Sequence, residues 1–169
     1  VTADFAAVPE VYVPRVLPEL SSGRVLTMEF VHGAKLSDAG ALAALRLEPR
    51  EVATLLIETF ARMIFASGFV HCDPHPGNLL VRPMPAPAAP RRTLWRRRHA
   101  RPQLVLLDHG LYRDLGQGFR RSYCALWHAL LTHDHEQGRA AAAALGVRAS
   151  DYEYLSLILT FRTPTAQTA

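Results

Sequence analysis

The sequence predicts an α+β fold that is mostly helical and contains a small amount of sheet. Apolar residues recur every three to four positions over residues 49–67 and again beyond Gln117, which is the period of amphipathic helices. Short runs rich in apolar and β-branched residues alternate with these stretches, at 11–17, 24–30, 79–81 and 104–107. A chain of 169 residues is long enough to build one domain around an apolar core.

The first two strand-like runs lie at the start of the chain. Residues 11–17 include Pro14, which indicates an edge or irregular strand. Residues 21–23 (Ser-Ser-Gly) predict a turn. The run at 24–30 is the second predicted strand, and residues 31–33 (Val-His-Gly) predict a break before the next part of the chain.

Helix signals follow this break. Asp38 is a candidate N-cap for a short helix that continues to about Ala44. A long helix is predicted from Pro49 to Ser67, with Gly68 as its stop signal. Its apolar face is expected to be core and is formed by Val52, Leu55, Leu56, Phe60, Met63 and Ile64.

The remainder of the chain is predicted to be helical. Asp134 and Gln137 have the spacing of a helix cap, and Ser150 and Glu153 have that of a capping box. Residues 163–169 lose the pattern and are expected to fray. The first of these helices is expected to bury one face, formed by Phe119, Tyr123, Leu126, Trp127, Leu130 and Leu131.

The composition is that of a globular chain and excludes an apolar membrane span. Hydrophobic residues make up 49% and charged residues 20%, but no apolar run approaches the roughly 18 residues that a span needs. The two cysteines, Cys72 and Cys124, lie in unrelated contexts and predict reduced thiols in an intracellular protein. The chain begins at Val1 rather than Met, so we expect it to be a piece of a longer protein.

The positive charge is concentrated in one segment. Residues 82–102 carry seven arginines and no acid, which exceeds the net charge of +4 for the whole chain. The prolines and the absence of any period predict a solvated, poorly packed loop, inserted at the tip of a hairpin in which 79–81 is expected to pair with 104–107. A contact with an anionic membrane or a nucleic acid through arginines that flank Trp95 is the alternative.

Two short motifs bear on chemistry. His71-Cys72-Asp73-Pro74-His75-Pro76-Gly77-Asn78 follows the long helix, and Asp108-His109-Gly110 follows the run at 104–107. In kinases, an Asp orients the attacking hydroxyl, an Asn five residues later binds Mg²⁺, and a second Asp after the next strand binds the metal against the phosphates. The order and spacing of the two motifs therefore predict a phosphoryl-transfer site.

Other interpretations of these residues exist. Asp108 could be a turn residue ahead of Gly110, and Asn78 could cap a loop. His71, Cys72 and His75 could suggest zinc, but no second Cys/His pair completes the four ligands that a zinc site usually needs. The turn interpretation of Asp108 and the loop-cap interpretation of Asn78 would both have to be correct for the phosphoryl-transfer interpretation to fail.

At these motifs the chain resembles the aarF/UbiB family of atypical kinases, in the eukaryotic branch with Asp-His-Gly. The resemblance covers nearly the whole chain apart from 82–102 and the last residues. It implies a protein-kinase-like fold with a small N-lobe remnant and hinge at 1–33, a C-lobe at 34–162 that carries the 82–102 insertion, and a tail at 163–169. It also implies a role in quinone or lipid metabolism.

The resemblance further implies residue roles. Asp73 would be the catalytic residue, and Asn78 and Asp108 would be ligands of Mg²⁺. The remaining residues implied to contact the ATP cofactor are Met28 at the gatekeeper position, Glu29 and Val31 in the hinge, and His75, where many protein kinases carry a phosphate-contacting Lys.

The family's N-terminal lobe, with its phosphate-binding lysine, does not lie in this chain, and the only lysine, Lys35, follows the hinge. We therefore expect kinase or ATPase activity of a longer protein and none of these 169 residues alone. A nucleotide is the expected partner, a lipid or membrane surface a second one, and no nucleic acid is expected. By resemblance, the location would be a mitochondrion or a plastid.

Two other functions stay open at this stage. One is a catalytically inactive pseudokinase or ATP-binding scaffold, which the missing lysine favours. The other is a small-molecule phosphotransferase of the aminoglycoside or choline type, which shares the His-x-Asp-x-His-Pro-x-Asn loop. The run Arg-Val-Leu-Thr-Met-Glu-Phe and the Asp-His-Gly favour the aarF/UbiB family over the latter.

Overall fold

The computed structural model describes residues 5–85 and 99–161. The chain forms two compact units, Val1–Arg113 and Asp114–Ala169. Helices and a small mixed sheet confirm the predicted α+β class. No helix in the described part of the chain is long and apolar enough to cross a membrane.

Two sheets are found in the described residues. The larger has the strand order β1-β5-β4-β2 and the smaller pairs β3 with β6. β1 runs parallel to β5, whereas β4 is antiparallel to both β5 and β2. The strands are β1 (Val11–Tyr12), β2 (Ala34–Lys35), β3 (Phe69–His71), β4 (Leu79–Pro83), β5 (Pro102–Leu106) and β6 (Tyr112–Asp114).

The hairpin of β4 and β5 confirms the pairing predicted from the two apolar runs. Leu79 pairs with Leu106 and Val81 with Leu104, and the ladder continues to Pro83 and Pro102. β5 is buried along its whole length and β4 at Leu79 and Val81, and Leu79, Val81, Leu104 and Leu106 are each at most 1% exposed. This hairpin is the rigid centre of the first unit.

The long predicted helix is present but changes its hydrogen-bonding pattern. It begins as α2 (Pro49–Ala61) and continues as a π-helix over Arg62–Ser67. Gly68 ends it in the left-handed region, at φ 77°, where glycine carries no steric penalty. Leu55 and Met63 pack against Leu79 and Leu106 of the hairpin, so the helix is fixed where the chain enters β3.

The other helices follow the sequence signals with one exception. Asp38 caps α1 (Ala39–Ala44) and Asp134 caps α4 (His135–Ala144), each through its side chain, as predicted. The prediction of a capping box at Ser150 is wrong. This residue lies in a short 3₁₀ turn ahead of α5 (Tyr152–Thr160), and its hydroxyl donates a hydrogen bond to the carboxylate of Asp151. The remaining helix is α3 (Gln117–Thr132).

The core of the second unit is formed by Leu126 of α3, Ala142 of α4 and Tyr152 of α5. The predicted buried face of α3 is only partly correct. Leu126 is 1% exposed, whereas Leu131 is 73% exposed. Leu131 is therefore a surface residue in the described chain.

The predicted strand at 24–30 is wrong as a continuous element. Only isolated bridges link it to the preceding segment, at Val16–Met28 and Ser22–Val25. The main-chain N–H of Thr27 donates to the hydroxyl oxygen of Ser21 (2.9 Å). A side chain therefore takes a main-chain donor that a β-ladder would otherwise use. The strand predicted at 11–17 is likewise reduced to Val11–Tyr12, and it pairs with β5.

The predicted loop at 82–102 is wrong at both of its ends. Arg82 and Pro83 belong to β4, and Pro102 belongs to β5. Ala100 packs against a buried cluster and its N–H donates to the carbonyl of Arg46 (2.8 Å). The sequence pattern hid these contacts because they are made to distant segments. The centre of the loop, residues 86–98, lies outside the described residues.

Candidate functional site

The His71-to-Asn78 loop begins on a buried histidine at the end of β3. His71 is 2% exposed, and its Nδ1 accepts the main-chain N–H of Asp73 (3.1 Å). In a neutral ring this places the proton on Nε2, which is buried without a hydrogen-bond partner. His71 therefore fixes the backbone at Asp73 and is not placed to act as a base.

Asn78 closes the same loop. Its side-chain Nδ2 donates to the main-chain oxygen of Asp73 (3.2 Å) and to the carboxylate oxygen Oδ2 (3.4 Å). Because both partners are acceptors, the nitrogen must face Asp73. The carbonyl oxygen Oδ1 is then the atom that Asn78 can offer to a cation.

The hairpin register places Asp108 beside this loop. Asn78 immediately precedes β4 and Leu107 immediately follows β5, and the N–H of Leu107 donates to the carbonyl oxygen of Asn78 (2.9 Å). Asp108 is the next residue. Its Oδ1 accepts the N–H of Gly110 (2.8 Å), so Oδ2 is the carboxylate oxygen left for a ligand.

His75 lies on the outer side of the loop. Its Nδ1 accepts the N–H of Gly77 (3.0 Å), and its Nε2 lies 3.8 Å from Oδ2 of Asp73. A Cβ on Gly77 would come within 2.6 Å of the imidazole carbon Cε1, so glycine is what allows the ring to lie there.

A cleft of about 770 Å³ opens next to Asp108. Met28, Glu29 and Val31 line it, as does Leu80 of β4. In the described residues, neither the carbonyl of Glu29 nor the N–H of Val31 has a hydrogen-bond partner, although Val31 is buried. Glu29 is half-buried, so both unpaired main-chain groups lie on the wall of the cleft and are available to a polar ligand.

Side chains that the sequence analysis did not single out hold this wall. The hydroxyl of Tyr12 donates to Oε1 of Glu29 (2.5 Å), and this bond to a carboxylate raises the pKa of Tyr12. The guanidinium of Arg82 lies 4.5 Å from the centre of the Tyr12 ring, and its Nε donates to Gln103 (2.8 Å). No local sequence signal could reveal this chain of contacts, because it joins residues far apart in sequence.

An aromatic cluster surrounds His109. Its Nδ1 lies 2.9 Å from the hydroxyl oxygen of Tyr112, and the two rings stack with centres 5.7 Å apart. The His109 residue is exposed overall, but partial desolvation of its ring, followed by the nearby His71, lowers the pKa of His109. Burial and the Asp108 carboxylate raise the pKa of Tyr112 to about 12.

The structure thus gathers the sequence-predicted residues into two groups. Asp73 and Asn78 are hydrogen-bonded to each other, with Asp108 brought alongside by the hairpin. The second group, which lines the cleft together with Asp108, comprises Met28, Glu29 and Val31. His75 belongs to the first group, and of that group only Asp108 lines the cleft.

The donor set suits Mg²⁺ better than zinc. Amide and carboxylate oxygens from Asn78 and Asp108 are hard ligands of the kind that Mg²⁺ takes, with phosphate and water completing its shell. Within residues 5–85 and 99–161, no three His, Cys, Asp or Glu side chains come together as a metal site.

A loop that carries an Asp and an Asn, joined by a hairpin to a second Asp beside a cleft, is the arrangement of the kinase class. Comparison with known proteins specifies the family. The family model of the ABC1 atypical kinase-like domain matches residues 1–142, and the chain therefore belongs to this family, the aarF/UbiB atypical kinases that the motifs resemble.

The similarity to individual relatives supports this family membership. An ABC1 protein of Arabidopsis thaliana is 42% identical over 152 residues, which are 90% of this chain and 27% of that protein. AarF domain-containing protein kinase 1 of Xenopus tropicalis is 41% identical over 134 residues, which are 79% of this chain and 23% of that protein. The serine/threonine-protein kinase abkB of Dictyostelium discoideum is 38% identical, with 18% of its length covered. The chain spans about a quarter or less of these relatives.

Proposed function

We propose that this chain is the part of an atypical kinase that binds Mg-ATP and presents the catalytic Asp. Membership of a kinase-like family supports the general class. The observation that carries the finer proposal is the register of the β4–β5 hairpin, which brings Asp108 next to the hydrogen-bonded pair of Asp73 and Asn78, with Asp108 itself lining a cleft that has unpaired main-chain groups.

In this proposal the chain supplies a kinase C-lobe together with the hinge. Residues 1–33 would be the remnant of the N-lobe and the hinge, and 34–162 the C-lobe. The hairpin at the centre of the first unit and the segment at 28–33 that lines the cleft support this assignment. The single lysine, Lys35, is exposed on β2, so in this proposal the lysine that contacts phosphate in kinases would be supplied from outside these 169 residues.

Each residue then has a distinct task. The carbonyl of Glu29 and the N–H of Val31 would hydrogen-bond an adenine ring, with Met28 beside it. Oδ1 of Asn78 and the carboxylate of Asp108 would hold Mg²⁺, which offsets the charge of the phosphates when it is bound. The carboxylate of Asp73 would orient the hydroxyl of the acceptor and accept its proton, in the position that Asn78 fixes. His75 would face the phosphate region from the outer side of the loop.

Isothermal calorimetry with Mg-ATP on the natural protein tests this proposal. Asp108→Asn should abolish Mg²⁺-dependent binding, because it removes the charge that faces the metal. Asp73→Asn should keep binding and lose turnover, because this carboxylate acts on the acceptor. Asp114→Asn makes the same change at an exposed carboxylate and should alter neither Mg-ATP binding nor turnover. Full binding by Asp108→Asn would remove the metal role.

The same measurements distinguish the alternatives. A pseudokinase or scaffold would bind Mg-ATP but show no turnover that depends on Asp73. A small-molecule phosphotransferase would turn over ATP only with an amino-alcohol or aminoglycoside acceptor. The proposed link to quinone or lipid metabolism in a mitochondrion or plastid is supported by family resemblance alone. It is tested by measuring quinone and prenyl-lipid content after deletion of the gene.

A further inference from the structure

Tyr112 touches both motif histidines. On one side its hydroxyl oxygen lies 2.9 Å from Nδ1 of His109, with the two rings inclined by 20°. On the other side its ring centre lies 5.0 Å from that of His71, whose Nδ1 accepts the N–H of Asp73. One side chain therefore connects the loop of Asp73 with the loop of Asp108.

The Tyr112 ring itself is held in place. It stacks on Phe69 of β3, with ring centres 4.8 Å apart and an interplanar angle of 14°. Next to it, the N–H of Cys72 donates to the carbonyl of Leu111 (3.0 Å), where β6 approaches β3. The hydroxyl is thus presented to His109 by a ring with little freedom to rotate.

The loop of Asp108 needs such a support. Asp108, His109 and Gly110 are exposed, and the chain is fixed before them by Leu107 and after them by Leu111. In the common Asp-Phe-Gly sequence the middle residue is an apolar ring whose packing sets the position of the Asp. An imidazole in the same place is polar, and a direct hydrogen bond to a fixed side chain can hold its orientation. Tyr112 supplies this partner.

We propose that Tyr112 is a positioning residue that sets the orientation of Asp108 through its hydrogen bond to His109. This inference rests on the proposed function, because its consequence is an effect on Mg-nucleotide binding. The bond belongs to the Asp-His-Gly sequence, since a phenylalanine in place of His109 could not make it.

The test is calorimetry of ATP binding to the natural protein, with Mg²⁺ and with excess chelator. Tyr112→Phe keeps the ring and its stacking but removes the hydroxyl. It should weaken Mg-ATP binding by about threefold to tenfold, which is the usual value of one hydrogen bond, and leave metal-free binding unchanged. Tyr154→Phe is the matched control, because this tyrosine is 69% exposed on α5. It should change neither the affinity for Mg-ATP nor the affinity for metal-free ATP.

A double-mutant cycle isolates the bond. In His109→Phe the hydroxyl of Tyr112 has lost its partner, so a further Tyr112→Phe change should cost nothing more in Mg-ATP affinity. Two independent, additive losses would overturn the inference. If Tyr112→Phe does not fold, His109→Ala removes the same bond from the other side without supplying an apolar ring, and an unchanged Mg²⁺ dependence in that variant would overturn the inference as well.

The outcomes distinguish a failure of the proposed function from a failure of the positioning role of Tyr112. If the wild-type protein shows no Mg²⁺-dependent ATP binding, the proposed function fails and the positioning role fails with it. If the wild type binds and Tyr112→Phe binds equally well with Mg²⁺, only the inference is overturned. A loss of affinity that is equal with and without Mg²⁺ would indicate a general structural effect and would also overturn it.

Discussion

The side-chain nitrogen of Asn78 donates to both the main-chain oxygen and the carboxylate of Asp73, at 3.2 and 3.4 Å. A residue proposed to bind Mg²⁺ therefore also holds the proposed catalytic carboxylate. Because Asn78 is buried and precedes β4 directly, the orientation of Asp73 depends on the rigid hairpin.

Replacement of Asn78 by Asp should destabilise this loop. The substitution removes both donor bonds and brings a second negative charge to Asp73, at a cost of about 1–3 kcal/mol in the free energy of unfolding. Mg²⁺ should raise the melting temperature of this variant more than that of the wild type, because it offsets the added charge. Gln137→Glu, the same change at an exposed side chain, is the control. An equal response to Mg²⁺ would contradict the proposed metal position.

Two deletions should separate the hairpin from its insertion. Removal of 82–102 takes away paired residues of both strands and the contacts of Ala100, so it should lower the melting temperature strongly. Removal of 86–98 alone leaves the described hairpin intact, and from its sequence it is expected to be nearly neutral. Differential scanning calorimetry of both variants of the natural protein measures the difference. Equal losses would indicate that residues 86–98 also pack.

The alkaline stability of the protein should depend on Tyr112. Its pKa is raised from the ordinary 10.0 to about 12, so the unfolded chain loses this proton first as the pH rises. The contribution of Tyr112 is therefore fully present below pH 10 and is lost as the pH rises toward 12. In Tyr112→Phe the free energy of unfolding should fall less steeply across this window, as measured by urea titration. An unchanged slope would show that the phenol is solvated.

Two glycines on helices of the second unit should respond in opposite ways to alanine. A Cβ on Gly138 of α4 would overlap the hydroxyl of the buried Tyr152, whereas nothing lies within 4 Å of a Cβ on Gly118 of α3. Gly138→Ala should cost about 1–3 kcal/mol despite the better helix propensity of alanine. Gly118→Ala should be neutral or stabilising. Chemical denaturation of both variants checks this, and a stabilised Gly138→Ala would be inconsistent with the packing of Tyr152.

Much of the fold could be predicted because its signals are local. The caps at Asp38 and Asp134, the stop at Gly68 and the α2 period each act within one or two turns of a helix. The hairpin could be predicted because two apolar runs flanked the insertion. The strand at 24–30 could not, because a strand depends on its neighbours, and here the Ser21 side chain takes a bond that a ladder would have used.

For the candidate site, too, some features could be predicted from the sequence and others could not. The sequence by itself determined the family, and it singled out Asp73, Asn78 and Asp108 as candidate site residues, because their order and spacing match the pattern of kinases. Only the tertiary structure decided which side chains from other parts of the chain contact the candidate site, as Tyr12 contacts Glu29 and Tyr112 contacts His71. Such contacts depend on the register and packing of elements that are separated in the chain, and they leave no periodicity in the sequence.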